Sequence, residues 1–355
     1  MRIEKELGEM LKSKNMQAEF LPEDESSELE ISGPEVLNDG IPKIIKAIQI
    51  NIQTKGAIFA NEKLDANNKL ILKGRASFVY RAMRLSSEYE IAKDYYAFSP
   101  YIDAFFNCLS LHFLSVEMQH DKLQGANNFA AALYAELNGE YFKNLLKSRE
   151  RAVNKLSKGF MDYIDKLFLV RSRLLVIRID LSCKQATSSP DDTDLMSLVE
   201  NQRSHSQVIH AHLRSLLNTL KKKGSPYAMV GYAWKLEYGF RKGFHYHLML
   251  FLDGSKNREH IHIGKAIGKL WSENITAGLG GYWNCVGTEF YYKSCGVGMV
   301  GYDEPKKILN VKHAAAYLVK LDRWVSAYLP DGKRCFGKGV ITVPIGKKRG
   351  RPRNE

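Results

Sequence analysis

The chain has 355 residues, 45% hydrophobic and 26% charged, an ordinary globular composition long enough for two domains or for one domain with an appendage. No apolar run approaches the roughly 18 residues a membrane helix needs, and the charged start MRIEKELGEMLKSKN is read as lacking a secretory signal. Residues 201–355 hold 26 Lys/Arg against 10 Asp/Glu, a surplus of 16 within a net +13, so residues 1–200 sum to −3; positive charge gathered in this way is either a nucleic-acid footprint or the basic face of a soluble protein.

Along the chain, residues 1–42 are polar and acidic in the middle and are predicted to be a flexible arm. Residues 43–168 form a mainly helical region, with apolar positions at 78, 79, 82, 85, 89 and 92 and with Ser99 then Pro100 as a cap and first helical residue. From 169 to 345 the pattern changes. RLLVIRIDL reads as a strand, and the polar link SCKQATSSPDDTD leads to a long helix that ends in LysLysLys and Gly224. YAMVGYAWKLEYG, the turn FRKG and FHYHLMLFLDG read as a hairpin, followed by a helix over 263–275, irregular Gly-rich strands and a helix in NVKHAAAYLVKLDRWVSAYL. This order predicts an α+β domain on an antiparallel sheet of about five strands flanked by helices. Five scattered cysteines without a CxxC pair suit reduced thiols in a cytosol and argue against a disulfide framework and a Cys-type zinc site.

Three His-x-His pairs compete as metal ligands. His210 and His212 lie in the long helix, where residues two apart point about 200° apart. His260 and His262 fall in the polar connection after the second hairpin strand, where nothing orients them. His245 and His247 lie in a strand, where i and i+2 share a face. A turn centred near Arg241 sets Glu237 opposite His245 and Lys235 opposite His247, so Glu237 joins both imidazoles on one face, while Tyr246, Leu248, Leu250 and Leu252 turn to the core. Two imidazoles and a carboxylate leave coordination positions for water or a phosphate oxygen. The alternative is a pair of buried histidines bonded to backbone carbonyls; an iron oxygenase or zinc hydrolase would use the same ligand set, and the basic charge argues against both.

In HAAAYLVKLDRW, Tyr317 and Lys320 are neighbours on one helix face with His313 and Trp324, beside an apolar stripe of Val311, Ala314, Leu318, Leu321 and Val325. A tyrosine can attack phosphorus if a nearby cation lowers the cost of the phenolate. By itself Tyr-x-x-Lys reads first as a core tyrosine with a surface lysine.

Taken together, Glu237, seven residues, His245-Tyr246-His247 and, about 70 residues later, Tyr317-x-x-Lys320 resemble the HUH (His-hydrophobic-His) endonucleases over roughly residues 170–340. The wording GFHYHLMLFLDG, LWSENIT, GVGMVGYDE and AAAYLVKLDRW is similar to the rolling-circle replication initiators of inoviruses and prophages. The resemblance implies a site-specific single-stranded DNA nickase and strand-transferase that initiates replication of a phage, prophage or plasmid-like element. Glu237, His245 and His247 would hold Mg²⁺ or Mn²⁺, Tyr317 would form a 5′-phosphotyrosine and leave a free 3′-OH, and Lys320 would assist. Asp180 falls in the first strand motif with no catalytic role assigned. His313 stands where some initiators carry a second tyrosine, which implies the single-tyrosine type. Alternatives are a single-tyrosine transposase or relaxase, or a DNA-binding regulator that keeps the fold without cutting. Expected partners are single-stranded or supercoiled origin DNA and, since no GxxxxGK[ST] helicase loop is present, a host helicase and polymerase in a bacterial cytoplasm, with no membrane. Expected DNA contacts are Lys235, Arg241 and Lys242 at the hairpin and Lys347, Lys348, Arg349, Arg351 and Arg353 in the tail over 346–355. In that tail Arg349-Gly350-Arg351-Pro352 resembles an AT-hook core; the alternative is a basic tail binding phosphates without sequence preference.

Overall fold

A computed structural model describes residues 35–66, 70–93, 96–114, 122–184, 195–239, 243–285, 296–320, 325–327 and 334–343. The described residues up to Ala152, with 325–327, form one unit, and those from Val153 to Lys320, with 334–343, form the other. Among them no helix is long and apolar enough to cross a membrane.

The first unit is helical: α1 (Glu35–Gln53), α2 (Gly74–Met83), α3 (Ser86–Ala92), α4 (Pro100–Leu109), α5 (Lys122–Asn138) and the start of α6 (Glu140–Val170). Two short antiparallel ladders accompany them, β1 (Lys63–Leu64) with β2 (Leu70–Ile71) and β3 (Tyr96–Phe98) with β9 (Val325–Ala327). The Ser99 hydroxyl accepts from Tyr101 N–H with Pro100 in the first turn, the cap that the sequence predicts. Ile44, Ile45 and Ile48 of α1 meet Phe105, Phe129 and Leu133 in a fully buried core.

Three expectations are corrected here. The helix begins at Glu35, inside the predicted arm, because Ile41, Ile44, Ile45 and Ile48 recur at helical spacing and bury one stripe behind the polar sequence. The division between units falls within α6 rather than at its end, because Phe160, Tyr163, Ile164 and Leu167 join the core of the second unit. Val325 belongs to the strand β9 and not to the helical stripe.

The second unit carries a six-stranded antiparallel sheet. Its strands are β4 (Arg173–Cys183), β5 (Met229–Gly239), β6 (Gly243–Asp253), β7 (Gly280–Asn284), β8 (Gly298–Gly301) and β10 (Phe336–Lys338), ordered β10-β5-β6-β4-β7, with β8 also on β4. Its helices are α7 (Leu195–Lys221), α8 (His260–Lys269), which runs into a π-helical turn over Leu270–Ile275, and α9 (Pro305–Lys320). This is the α+β architecture that the sequence predicts.

Strand alternation gives the sheet two distinct faces. One carries Leu236, Phe244, Tyr246, Leu248, Leu250 and Leu252, all fully buried. His205 and His210 of α7 pack their rings edge-on against Phe244 and Tyr246, and α8 lies against Tyr282 and Asn284 of β7. On the other face Val176, Ala233, Met249 and Phe251 form a core with Phe160, Ile164 and Leu167 of α6 and Val311, Ala315, Leu318 and Val319 of α9. Among the described residues that core lies at one end of the face, and the polar residues of β4, β5 and β6 lie at the other.

Close approach of α8 to β7 depends on Gly268, where an added Cβ would lie 2.1 Å from the Tyr282 ring. Gly268→Ala is expected to cost about 1–3 kcal/mol through overpacking, read by chemical denaturation, whereas exposed Lys265→Ala on the same helix should stay within about 0.5 kcal/mol.

Candidate metal centre

The β5–β6 hairpin pairs Glu237 with His245 and Lys235 with His247, the register that the turn predicts. On its other edge β6 pairs with β4, which sets Asp180 opposite His247 and Ser182 opposite His245. Beyond that, β7 sets Trp283 opposite Asp180 and Gly281 opposite Ser182. Two rows therefore cross the sheet on one face: Lys235, His247, Asp180, Trp283, and beside them Glu237, His245, Ser182, Gly281.

Within these rows Glu237 Oε2 lies 3.1 Å from His247 Nε2 and 3.7 Å from His245 Nε2. The two imidazole rings are 5.1 Å apart and nearly perpendicular. On its far side His247 donates from Nδ1 to Asp180 Oδ1 at 2.7 Å. Asp180 also accepts from the Cys285 thiol, and Arg178 Nε stands 3.9 Å from it. Burial, then the Asp180 charge, pushes the Cys285 thiol up to about 12, so it stays protonated and acts as a donor.

The electrostatics of the line Asp180–His247–Glu237 follow from its order. Burial opposes charge on all three groups, but the two carboxylates outweigh it and hold His247 above the ordinary histidine range. His247 in turn holds Glu237 and Asp180 below the usual carboxylate range, with His245 and Lys235 adding to the effect on Glu237. The site is thus arranged around positive charge beside Glu237.

These residues fit a divalent cation. One ligand atom from each of Glu237, His245 and His247 lies within 4.8 Å of the others. Glu237 Oε1 is buried and lacks a hydrogen-bond partner among the described residues, an acceptor that costs free energy if left unmet. Asp180 holds Nδ1 of His247 and leaves Nε2 toward the ligand cluster, the carboxylate–histidine support common behind metal-binding imidazoles.

The other expected residues sort as follows. Lys235 is 1% exposed; Phe336 of β10 pairs opposite it on its outer side and its charge acts on Glu237. Arg241, Lys242, Lys347, Lys348, Arg349, Arg351 and Arg353 lie outside the described residues. Tyr317 and Lys320 lie in α9, which packs on the sheet face that bears the cluster, and their side chains are outside the described part. His313 of α9 is exposed.

Among the described residues neither rival histidine pair gathers a ligand set. His210 donates from Nδ1 to the Ser206 carbonyl at 2.7 Å, while His212 turns toward Trp271 and Cys183. His260 and His262 begin α8 rather than a loop, and His262 stands 3.1 Å from exposed Glu259.

Asp180 is the site residue that sequence reasoning passes over. The available signal was Arg178, Asp180 and Ser182 at alternate positions of an otherwise apolar strand, three polar side chains aimed at one face.

An antiparallel sheet with helices on both faces, and on one face a Glu-His-His cluster that could hold a metal ion, characterise an α+β domain. The chain belongs to the YagK/YfjJ C-terminal domain family, whose model matches residues 137–339. That span contains the whole sheet and Asp180, Glu237, His245, His247, Tyr317 and Lys320. No curated protein and no solved structure matches the chain.

Asp180→Asn removes the charge behind His247 while keeping its shape. Mn²⁺ affinity, measured by isothermal titration, is expected to fall roughly 10–100-fold, and His247→Ala should lower it at least as far. Unchanged affinity in Asp180→Asn would remove Asp180 from the site.

Proposed function

We propose that the chain is a site-specific single-stranded DNA nickase and strand-transferase that initiates rolling-circle replication of a phage, prophage or plasmid-like element. The observation that carries this reading is the convergence of Glu237, His245 and His247 on one sheet face with Asp180 behind them. It is supported by the placement of Tyr317 and Lys320 on a helix over that same face, and by the surplus of 16 positive charges in residues 201–355.

In this reading a bound Mg²⁺ or Mn²⁺ supplies Lewis-acid polarisation of the scissile phosphate. Glu237, His245 and His247 would hold it, and Asp180 fixes the His247 ring. The Tyr317 oxygen forms a bond to phosphorus as the bond to the 3′-oxygen breaks. The tyrosine loses its proton, the departing 3′-oxygen gains one, and the products are a 5′-phosphotyrosine and a free 3′-OH. Lys320 offsets negative charge as it develops on the phosphoryl group. Ligand atoms held on paired strands are fixed by the sheet register, which pre-organises them before DNA arrives. Unwinding and synthesis fall to a host helicase and polymerase, and the working compartment is the bacterial cytoplasm.

The test incubates full-length protein with labelled single-stranded fragments tiling the element that encodes it, in Mn²⁺ or Mg²⁺, and resolves protein–DNA adducts on a denaturing gel. An adduct is expected with the origin fragment, absent in Tyr317→Phe and formed roughly 10²-fold more slowly in Lys320→Ala, the loss typical of one charge-stabilising donor. No adduct from the native protein with any fragment would overturn the enzyme reading, and an adduct that survives Tyr317→Phe would move the nucleophile elsewhere.

A further inference from the structure

The row that carries His247 and Asp180 ends on Trp283, at the edge strand β7. Exposed apolar side chains are common singly and need no explanation by themselves. Three observations set Trp283 apart from them.

First, it is 47% exposed, and it is the only aromatic among the exposed large apolar side chains described in the second unit. The other described tryptophans are partnered: Trp271 is fully buried and donates to the Ser182 carbonyl at 2.8 Å, and Trp234 packs edge-on against Tyr246 and His210. Beyond the backbone ladder, the Trp283 indole has no hydrogen bond or ring contact among the described residues.

Second, β7 is sealed on one side and open on the other. Its alternate residues are pinned beneath α8, with Tyr282 against Gly268 and Asn284 Nδ2 donating to the Ile261 carbonyl at 3.1 Å. The intervening positions, Gly281 and Trp283, run along the site face, where Gly281 has no side chain, and Leu279 just before the strand is 44% exposed.

Third, the ground beside the indole is low, with one exposed cation at its margin. Ser182 and Gly281 fill the neighbouring row with small residues. Lys184 extends the β4–β7 ladder by one rung through its N–H to the Leu279 carbonyl at 2.9 Å, and is exposed.

We propose that Trp283 is a stacking platform for an unpaired nucleobase next to the phosphate held at the Glu237–His245–His247 cluster, with Lys184 meeting the backbone beyond it. This rests on the proposed action on single-stranded DNA and names a residue that would hold the strand. Trp283 stands two strand spacings from His247, about 10 Å, within reach of a nucleotide flanking the phosphate at the cluster. A ring face accepts any base, so the contact favours single strands over duplex without reading sequence. The surplus of positive charge in residues 201–355 favours a polyanionic partner over an apolar protein surface at this strip.

The experiment measures binding of full-length protein to a fluorescein-labelled single-stranded oligonucleotide by anisotropy, in EDTA so that no cutting occurs, at fixed salt. Trp283→Ala should weaken single-strand binding roughly 5- to 150-fold, Trp283→Phe should restore most of it, and duplex binding should change little. A single abasic site walked through the oligonucleotide should weaken wild type at one position and leave Trp283→Ala indifferent there. Matching thermal unfolding of Trp283→Phe and wild type guards against misfolding. Equal single-strand binding by wild type and Trp283→Ala, or equal loss on duplex, overturns the platform even where the adduct assay succeeds. Weakening by Trp283→Ala and rescue by Trp283→Phe support it even where no adduct forms, which would sink the nicking reading alone. Absence of any single-strand binding by wild type overturns the platform outright.

Discussion

The arrangement rests on one line of three side chains, Asp180, His247 and Glu237, drawn across three paired strands. His247 is held at 2.7 Å by Asp180 on one side and lies 3.1 Å from Glu237 on the other. Because side chains alternate along a strand, a slip of one residue in either ladder would turn a member of this line to the opposite face. The alternating apolar residues prevent that slip: Tyr246, Leu248, Leu250 and Leu252 are fully buried on the far side, and exposing them to move His247 would cost far more than the cluster gains. The hydrophobic pattern of β6 thus fixes the polar chemistry of β6.

The same pattern divides the labour between the two faces. Among the described residues, α7 and α8 pack on one face, and α6 and α9 pack on the other beside a polar end where paired carboxylates and imidazoles meet. Burying charge is costly unless it is matched, and here each charged group has an opposite neighbour. Lys235 belongs to this balance. A lysine with 1% exposure is rare, and its charge, with those of the histidines, helps keep Glu237 ionised and able to accept a cation's coordination.

What was legible in the sequence was local or nearly so. The β5–β6 register follows from a short turn between two alternating runs, so Glu237, His245 and His247 could be grouped before any fold was known. The unsuitability of His210 and His212 follows from helical geometry alone. Asp180 was not legible as a site residue, because its role depends on β4 pairing with β6 across about 70 intervening residues, and no local signal sets that partner. The burial of Lys235 depends on β10, three residues long in a Gly-rich segment that carries little strand pattern. The early start of α1 was hidden because acidic and polar residues surround a stripe of isoleucines that only packing reveals.

The central claim is that Glu237, His245 and His247 together hold a divalent cation, with Asp180 bonded to His247 behind it. Anomalous diffraction at the manganese edge, from crystals of the full-length protein grown in Mn²⁺, tests this most directly. The account predicts one strong peak within coordination distance of a Glu237 carboxylate oxygen and of Nε2 of both histidines, with the Asp180–His247 bond kept. A Mn²⁺-loaded crystal with no peak there, or with the ion bound through other residues, would contradict it.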